Sequence, residues 1–443
     1  MVEINTHWKH EGEVLRFIRD SQNRSQEEVA LTAKIDRSAL SDIETGQKKP
    51  TTEQLIAPKK ALKIEYLPIF ENELSEFLDE LFSFNRDIGE GKFEKAKATH
   101  EKLAVVKLVP RYKELNIYFS IFESRLLLCF GDFATVEENF KYLDEIFENF
   151  GDVQQYYYSY VKGNYFYKKK LDDDALVCYE KVHELMKRGL EKNINVYDNA
   201  SACCRRNGYT SRSIAFLEEA CSLISQGYAC NYTVDIYNDL GVDYIDTKNF
   251  QRAGELLQKA HLLADEAYTV DPTDENKRRL GIVIFNIGYF FQKAKKSKRA
   301  IRFFDKALPY INKESDLYMK AIYHKARASK EMGDMKSCTE LINEGKKISK
   351  GSEEYAILFD ALSLLMYPKD EYVAHINGTV IPYLLKVNFI YAALDYAILV
   401  RDYYVSKKRH KSKVQKMSDV IYTIQSKIYE GSFIECGKKY FDF

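Results

Sequence analysis

Proline and glycine are scarce, 8 and 20 in 443 residues, too few for the frequent tight turns of a β-sandwich. Neither sign of charge dominates. Lys plus Arg and Asp plus Glu both number 66, so no global basic field holds a polyanion, and any contact with nucleic acid must come from a local patch. The eight cysteines, at 129, 178, 203, 204, 221, 230, 338 and 436, include no pair at the spacing of a zinc knuckle. They read as reduced filler of helix cores, the vicinal Cys203 and Cys204 included. Long apolar runs are missing too. The opening MVEINTHWKHEGEVLRF is no signal peptide, and no stretch reaches the roughly 18 apolar residues of a membrane span, so a cytoplasmic protein without membrane contact is expected. There is no GxSxG, no GxxxxGK[ST] and no HExxH, and the one close histidine pair, His7 and His10, sits near the terminus. An enzyme, a cofactor or a bound metal is therefore not expected.

What is present is helix material. With 45% hydrophobic and 30% charged residues the chain suits amphipathic helices, and an all-α fold is predicted. At 443 residues it is long for one core, which favours a small domain joined to an elongated repeat array.

The first stretch is GEVLRFIRDSQNRSQEEVALTAKIDRSALSDIETGQKKP. Val14, Leu15 and Ile18 recur at helical spacing. Ser25 with Glu28 forms a capping box for a second helix whose Val29, Ala30 and Ala33 turn inward. Asp36 is a candidate cap for a third helix carrying Leu40 and Ile43, and Gly46 ends it where positive φ is wanted. The Ser-Gln-Glu-Glu-x-Ala opening at 25–30, Ser41-Asp42-Ile43-Glu44, and Gly46-x-x-x-Pro50 resemble the helix-turn-helix of the XRE family, the Cro and phage-repressor type, over residues 11 to 70.

That resemblance implies a five-helix domain at 1–70 and a set of DNA-contacting residues. Gln26 falls where the family clamps a phosphate. Arg37, Ser38, Ala39, Ser41 and Asp42 fall on or beside the recognition face, with Arg37 suited to grip guanine and Ala39 to meet a thymine methyl. Lys48 and Lys49 would neutralise phosphates. Arg19 and Glu44 fall at positions that pair with each other. Two departures stand out: Lys34 replaces the usual turn glycine, and Pro58 is expected to bend or restart the fourth helix. Ten Lys and Arg against nine Asp and Glu over 11–63 predict weak binding by one copy, so a homodimer reading two half-sites is expected.

The rest repeats. In KGNYFYKKKLDDDALVCYEKVHEL, DLGVDYIDTKNFQRAGELLQKAHLL and NIGYFFQKAKKSKRAIRFFDKAL, a glycine precedes an alanine by twelve residues: Gly163 and Ala175, Gly241 and Ala253, Gly288 and Ala300. Small residues there let the helices of a pair approach closely. The motif resembles the tetratricopeptide repeat. Markers at 96, 136, 175, 213, 253, 300, 338, 374 and 414 predict nine helix pairs over 71–443, with an insertion near 265–279. Such pairs stack into a right-handed superhelix whose concave wall is lined by the first helices.

Projected onto that wall are Tyr160, Asn164, Asn199, Arg205, Asn238, Phe285, Asn286, Tyr289, His324 and Arg327. Buried Asn needs partners and offers both donors and acceptors, which suits a peptide backbone. Arg205 or Arg327 suits a terminal carboxylate. The basic runs near 296 and 410 read as solvated turns.

A repressor-type head on such an array resembles the RRNPP family of peptide-pheromone receptors (Rap, Rgg, NprR, PlcR and PrgX types), with a layout nearest NprR. The resemblance implies a cytoplasmic quorum-sensing transcription regulator, switched by an imported signalling peptide in the concave wall. Its alternative is a Rap-like protein that binds and inhibits a response regulator, with DNA binding secondary.

Overall fold

The computed structural model describes residues 11–68, 71–109, 112–228, 232–407 and 411–430. His7, His10, Cys230, Cys436 and residues 408–410 of the second basic run lie outside them. All regular structure among the described residues is helical. Two compact units divide the chain, Met1–Leu190 and Glu191–Phe443.

The first unit opens with α1 (Glu11–Ser21), α2 (Gln26–Ala33), α3 (Arg37–Glu44) and α4 (Thr52–Ala61). Val14, Leu15, Ile18, Val29 and Leu40 form its small core. Gly12 lies so close to α3 that a Cβ there would sit 1.7 Å from the Ile43 carbonyl oxygen. The capping box forms: the Glu28 amide donates to Ser25 Oγ (3.1 Å) and the Ser25 amide to Glu28 Oε2 (2.7 Å). Asp36 stands at the N-cap of α3 without a side-chain bond to the helix, so that expectation is corrected. Lys34 takes the left-handed conformation that glycine would take (φ 56°), and Gly46 is at φ 72°.

Pro58 neither breaks nor restarts α4, which runs continuously from Thr52 to Ala61. The donor lost at proline is one bond of the last turns, and the helix end is held from outside. The Arg24 guanidinium donates to the Ala61 carbonyl and Gln22 Nε2 to the Leu62 carbonyl.

Three helix pairs follow in this unit: α5 (Glu71–Gly89) with α6 (Phe93–Leu103), α7 (Lys113–Phe130) with α8 (Phe133–Ile146), and α9 (Asp152–Lys169) with α10 (Asp172–Lys187). The fifth helix of the chain thus begins the array. Lys59 with Glu73 ties the head to the first pair, and the Tyr112 hydroxyl donating to the Pro68 carbonyl (2.9 Å) ties the head's end to the start of the second. The split between the two compact units falls after these three pairs, near Gly189, which has φ 106°.

The second unit contains α11 (Ile194–Asn207), α12 (Thr210–Ser225), α13 (Thr233–Asp246), α14 (Phe250–Val270), α15 (Asp274–Lys293), α16 (Ser297–Ala307), α17 (Asp316–Glu331) and α18 (Met335–Ile348). Then come α19 (Glu353–Leu364), α20 (Asp370–His375), a π turn at Ile376–Val380, α21 (Ile381–Lys386), α22 (Ile390–Ser406) and α23 (Lys411–Glu430). The 47-residue step in the repeat is absorbed by lengthening α14 and α15 to 21 and 20 residues.

The repeat register is physical. The first seven markers, Ala96, Val136, Ala175, Ser213, Ala253, Ala300 and Cys338, are wholly buried in second helices. Five residues before each comes a residue of positive φ: Gly91, Gly131, Lys170, Gly208, Lys248, Lys295 and Gly333. One left-handed residue reverses the chain between the helices of a pair. The eighth pair breaks the rule. Ala374 is exposed, its second helix is interrupted by the π turn, and the left-handed residue appears later, at Asn388 between α21 and α22.

The glycines at the crossings work as expected. A Cβ on Gly163 would lie 2.8 Å from the Tyr179 ring, on Gly241 2.9 Å from Leu257, and on Gly288 2.6 Å from the Phe304 ring. The second unit also closes on itself: Ile390 packs on Gly208, Tyr391 bonds Thr210, and α23 touches α12.

In an open helix Gly→Ala is stabilising by about 1 kcal/mol. Gly288→Ala should instead destabilise by about 1–3 kcal/mol, because the buried Phe304 ring has no room to move. Urea denaturation of the variant against the parent gives the sign.

Candidate functional site

In the head, a buried ion pair fixes the geometry. Arg19 Nε and Nη2 donate to Glu44 Oε1 (2.7 Å) and Oε2 (2.8 Å), a two-pronged bond between α1 and α3. The Arg19 guanidinium is held above its ordinary pKa chiefly by its bond to Glu44. Gln26 Nε2 donates to the same Oε2 (2.9 Å), so its amide is anchored at the root of α2. On the opposite face of α3, Arg37, Ser38 and Ala39 are exposed, with Ser41 and Asp42 half-buried beside them. Lys48 and Lys49 are exposed after the helix, Lys49 at 3.7 Å from Glu11. A rigid helix with an outward row of short polar side chains and one Arg fits a groove.

Tyr160 and Asn164 belong to α9 of the first unit. Tyr160 is buried, and Asn164 Oδ1 accepts from the Tyr179 hydroxyl at 2.9 Å.

In the second unit the inner residues of α11, α13, α15 and α17 form a wall of linked polar groups. Asp235, Asp239, Asp243 and Asp246 follow one another along α13. Arg279 pairs with Asp235 (3.1 Å), Arg205 with Asp239, and the Ser213 hydroxyl donates to Asp243 (2.6 Å). The Tyr289 hydroxyl donates to Asp246 (2.8 Å). Burial pushes the Asp243 carboxyl up to about 7, and the Asp198 and Asp246 carboxyls up to about 6. Asn286 Nδ2 donates to Asn238 Oδ1 (2.9 Å). His324 Nδ1 meets Gln292 Oε1 at 2.7 Å, and burial, then Arg327 and Lys320, holds its pKa far below normal, so it is neutral.

Helix α22 completes the wall. Asp395 lies between Lys293 Nζ (2.9 Å) and Arg327 Nη1 (2.8 Å). Burial opposes its charge, but Arg327 and Lys293 hold it well below the usual carboxylate range. The Tyr396 hydroxyl donates to the Leu358 carbonyl (3.1 Å), and Tyr323 meets it at 3.0 Å. Between α22 and the wall is a cavity of about 250 Å³, bordered among others by Asp246, Asn286, Tyr289, Lys320, Tyr323 and Asp395.

Of the residues assigned from sequence, Asn286, Tyr289, His324 and Arg327 meet at this cavity. Asn199, Arg205 and Asn238 lie on α11 and α13 beyond its lining. Three assignments change. Phe285 is 1% exposed and packs against Phe304 in the core. Arg205 and Arg327 already pair with Asp239 and Asp395. Sequence reading missed Lys320 and Tyr323, although both share the helical face of His324 and Arg327. It also missed Asp395, whose place depends on closure by α22.

Head and array together define a class: a helix-turn-helix protein with tetratricopeptide-type helix pairs. Residues 15–65 match the helix-turn-helix family model. Over 402 residues the chain is 25% identical to the transcriptional activator NprA of Geobacillus stearothermophilus, covering 87% of this chain and 96% of that one. The apo form of the quorum sensor NprR from B. thuringiensis superposes with TM-score 0.62 at 16% identity, over 79% of this chain and 99% of that chain. NprR in complex with its cognate peptide NprX gives TM-score 0.57 at 17% identity, over 80% and 100%. Along most of its length the chain is similar in sequence to that activator, and it shares its fold with NprR.

Two measurements probe these sites. Glu44→Ala removes the two-pronged bond and leaves the buried Arg19 with only the exposed Asp20 (2.6 Å) as counter-charge, and should cost about 1.5–3 kcal/mol of head stability, read by thermal unfolding. The folded-state value of Asp243 lies above its free value near 4, so folding takes up a proton there. Its contribution is complete below pH 4 and is lost as pH rises through 7. Asp243→Asn should therefore flatten the pH dependence of unfolding between 4 and 7, and an unchanged slope would refute the assignment.

Proposed function

We propose that this protein is a transcription regulator that binds operator DNA through α3 and is switched by a short extended peptide bound against the inner wall of the array. The observation that carries the reading is the coexistence on one chain of an exposed recognition face, fixed by the Arg19–Glu44–Gln26 cluster, and a walled hollow rich in paired donors and acceptors. The transcriptional activator NprA and the peptide complex of NprR support it.

Arg37 meets base edges, with Ser38, Ala39, Ser41 and Asp42 beside it. Gln26, Lys48 and Lys49 meet phosphates. Near-zero local charge makes one head a weak binder, so two copies act on half-sites about one helical turn apart. The peptide exchanges bonds with wall groups such as Asn286 and Tyr289. A ligand that fits one curvature of the stacked pairs better than another shifts the population toward it, by no more than its difference in affinity. In a dimer, that alters the separation of the heads.

Selection of genomic DNA fragments on the purified protein tests the head. Sequence-specific fragments should be enriched. Arg37→Ala should then weaken the enriched site by about 1–3 kcal/mol, roughly 5- to 150-fold, in fluorescence anisotropy, with a smaller effect on random DNA. Enrichment of no sequence, or equal binding by the variant, would overturn the reading.

A further inference from the structure

The cavity under α22 is small. Its 250 Å³ falls below the roughly 300–1,000 Å³ of pockets that hold drug-sized ligands, a size that suits one terminal residue of a chain. Its border is aromatic and aliphatic on several sides, with Tyr289, Tyr323, Tyr355, Leu358, Phe389 and Ile390 around it.

Charge decides which end. Asp246, Asp395, Lys320 and Arg327 border the cavity, and Lys293 grips Asp395 from just outside. His324 is neutral. Three cations thus face two carboxylates, leaving one positive charge over. Arg327 and Lys293 share Asp395, while the Tyr289 hydroxyl serves Asp246. The surplus belongs to the group as a whole, and Lys320 is its one cation with no carboxylate at ion-pair distance among the described residues. Its side chain is exposed at the border of the cavity; partial desolvation pulls its pKa down, while Asp246 and Asp239 pull it up from beyond ion-pair distance. Its ammonium lies over the Phe285 ring face, 5.3 Å from the centroid. An ammonium at the mouth of a partly desolvated hollow whose net charge is positive attracts an anion more strongly than the same group on an open surface.

We infer that this cavity is the terminus pocket of the array: it takes the C-terminal residue of a short peptide, an apolar side chain among the aromatic rings and the free carboxylate on Lys320. The inference rests on the peptide-receptor reading above and assigns the end and the chemical class of the ligand that reading leaves open. The geometry favours carboxylate over phosphate, because the charged groups at the cavity carry a single surplus positive charge.

The test uses the full-length protein and a synthetic library of heptapeptides in three forms: free C-terminus, C-terminal amide, and free C-terminus without Asp or Glu. Peptides retained after size exclusion are counted by mass spectrometry. Free-acid peptides ending in aliphatic or aromatic residues should be retained at least tenfold above their amides, and the set lacking Asp and Glu equally well. Lys320→Met should abolish the preference and Lys320→Arg should keep it, with thermal unfolding confirming that both variants fold. Retention of amides equal to free acids, or loss of binding only when Asp and Glu are omitted, overturns the terminus pocket and leaves the receptor standing. Retention of no peptide in any form overturns both.

Discussion

Two amphipathic helices of this array meet where one of them carries no side chain. At Gly163, Gly241 and Gly288 the partner's aromatic or leucine side chain occupies the space a Cβ would need, and at the first seven repeat markers the facing residue is buried and, in most cases, small. Close approach fixes the crossing, and the crossing fixes which stripe of each first helix turns inward. Everything on the wall inherits its position from this constraint. Asp239 reaches Arg205, and Asn286 reaches Asn238, because neighbouring first helices are held at a set distance. The exposed face of α3 has an analogous origin, since Gly12 permits α1 to lie directly on the backbone of α3.

The periodic part of this design could be read from the chain alone. Small residues and turn residues recur at fixed offsets because each helix pair solves the same packing problem, so seven of nine second helices were located to the residue. Reading failed where the solution was not periodic. In the eighth pair the reversal moved to Asn388 and a π turn interrupted the helix, and no offset announces either. The head was legible through its caps and its glycine, but Asp36 looked like a cap and is not bonded as one, while Pro58 looked like a break and is tolerated because Arg24 and Gln22 hold the end of the helix.

For the wall, residue type was a sound guide to location and a poor guide to occupancy. Asn286, Tyr289, His324 and Arg327 were placed by helical projection and do come together. What projection cannot supply is the partner of each group. Arg205 and Arg327 each found a carboxylate of the same chain, Asn238 and Asn286 found each other, and His324 found Gln292. A buried polar surface satisfied in this way is inexpensive to keep and selective toward newcomers, because an incoming group must replace a bond with an equally good one.

Most contacts in the second unit join helices adjacent in the chain, and such a stack can grow outward from any nucleus. The seam between Gly208–Thr210 and Ile390–Tyr391 is different in kind, since it joins residues about 180 positions apart. Its closure must wait until every intervening pair is stacked, and the loop entropy of bringing distant segments together is met by the stack itself and not by the seam. Assembly of this unit therefore separates into a fast local phase and a late ring-closing one. A lesion anywhere between the two edges, however far from the seam, will be felt there.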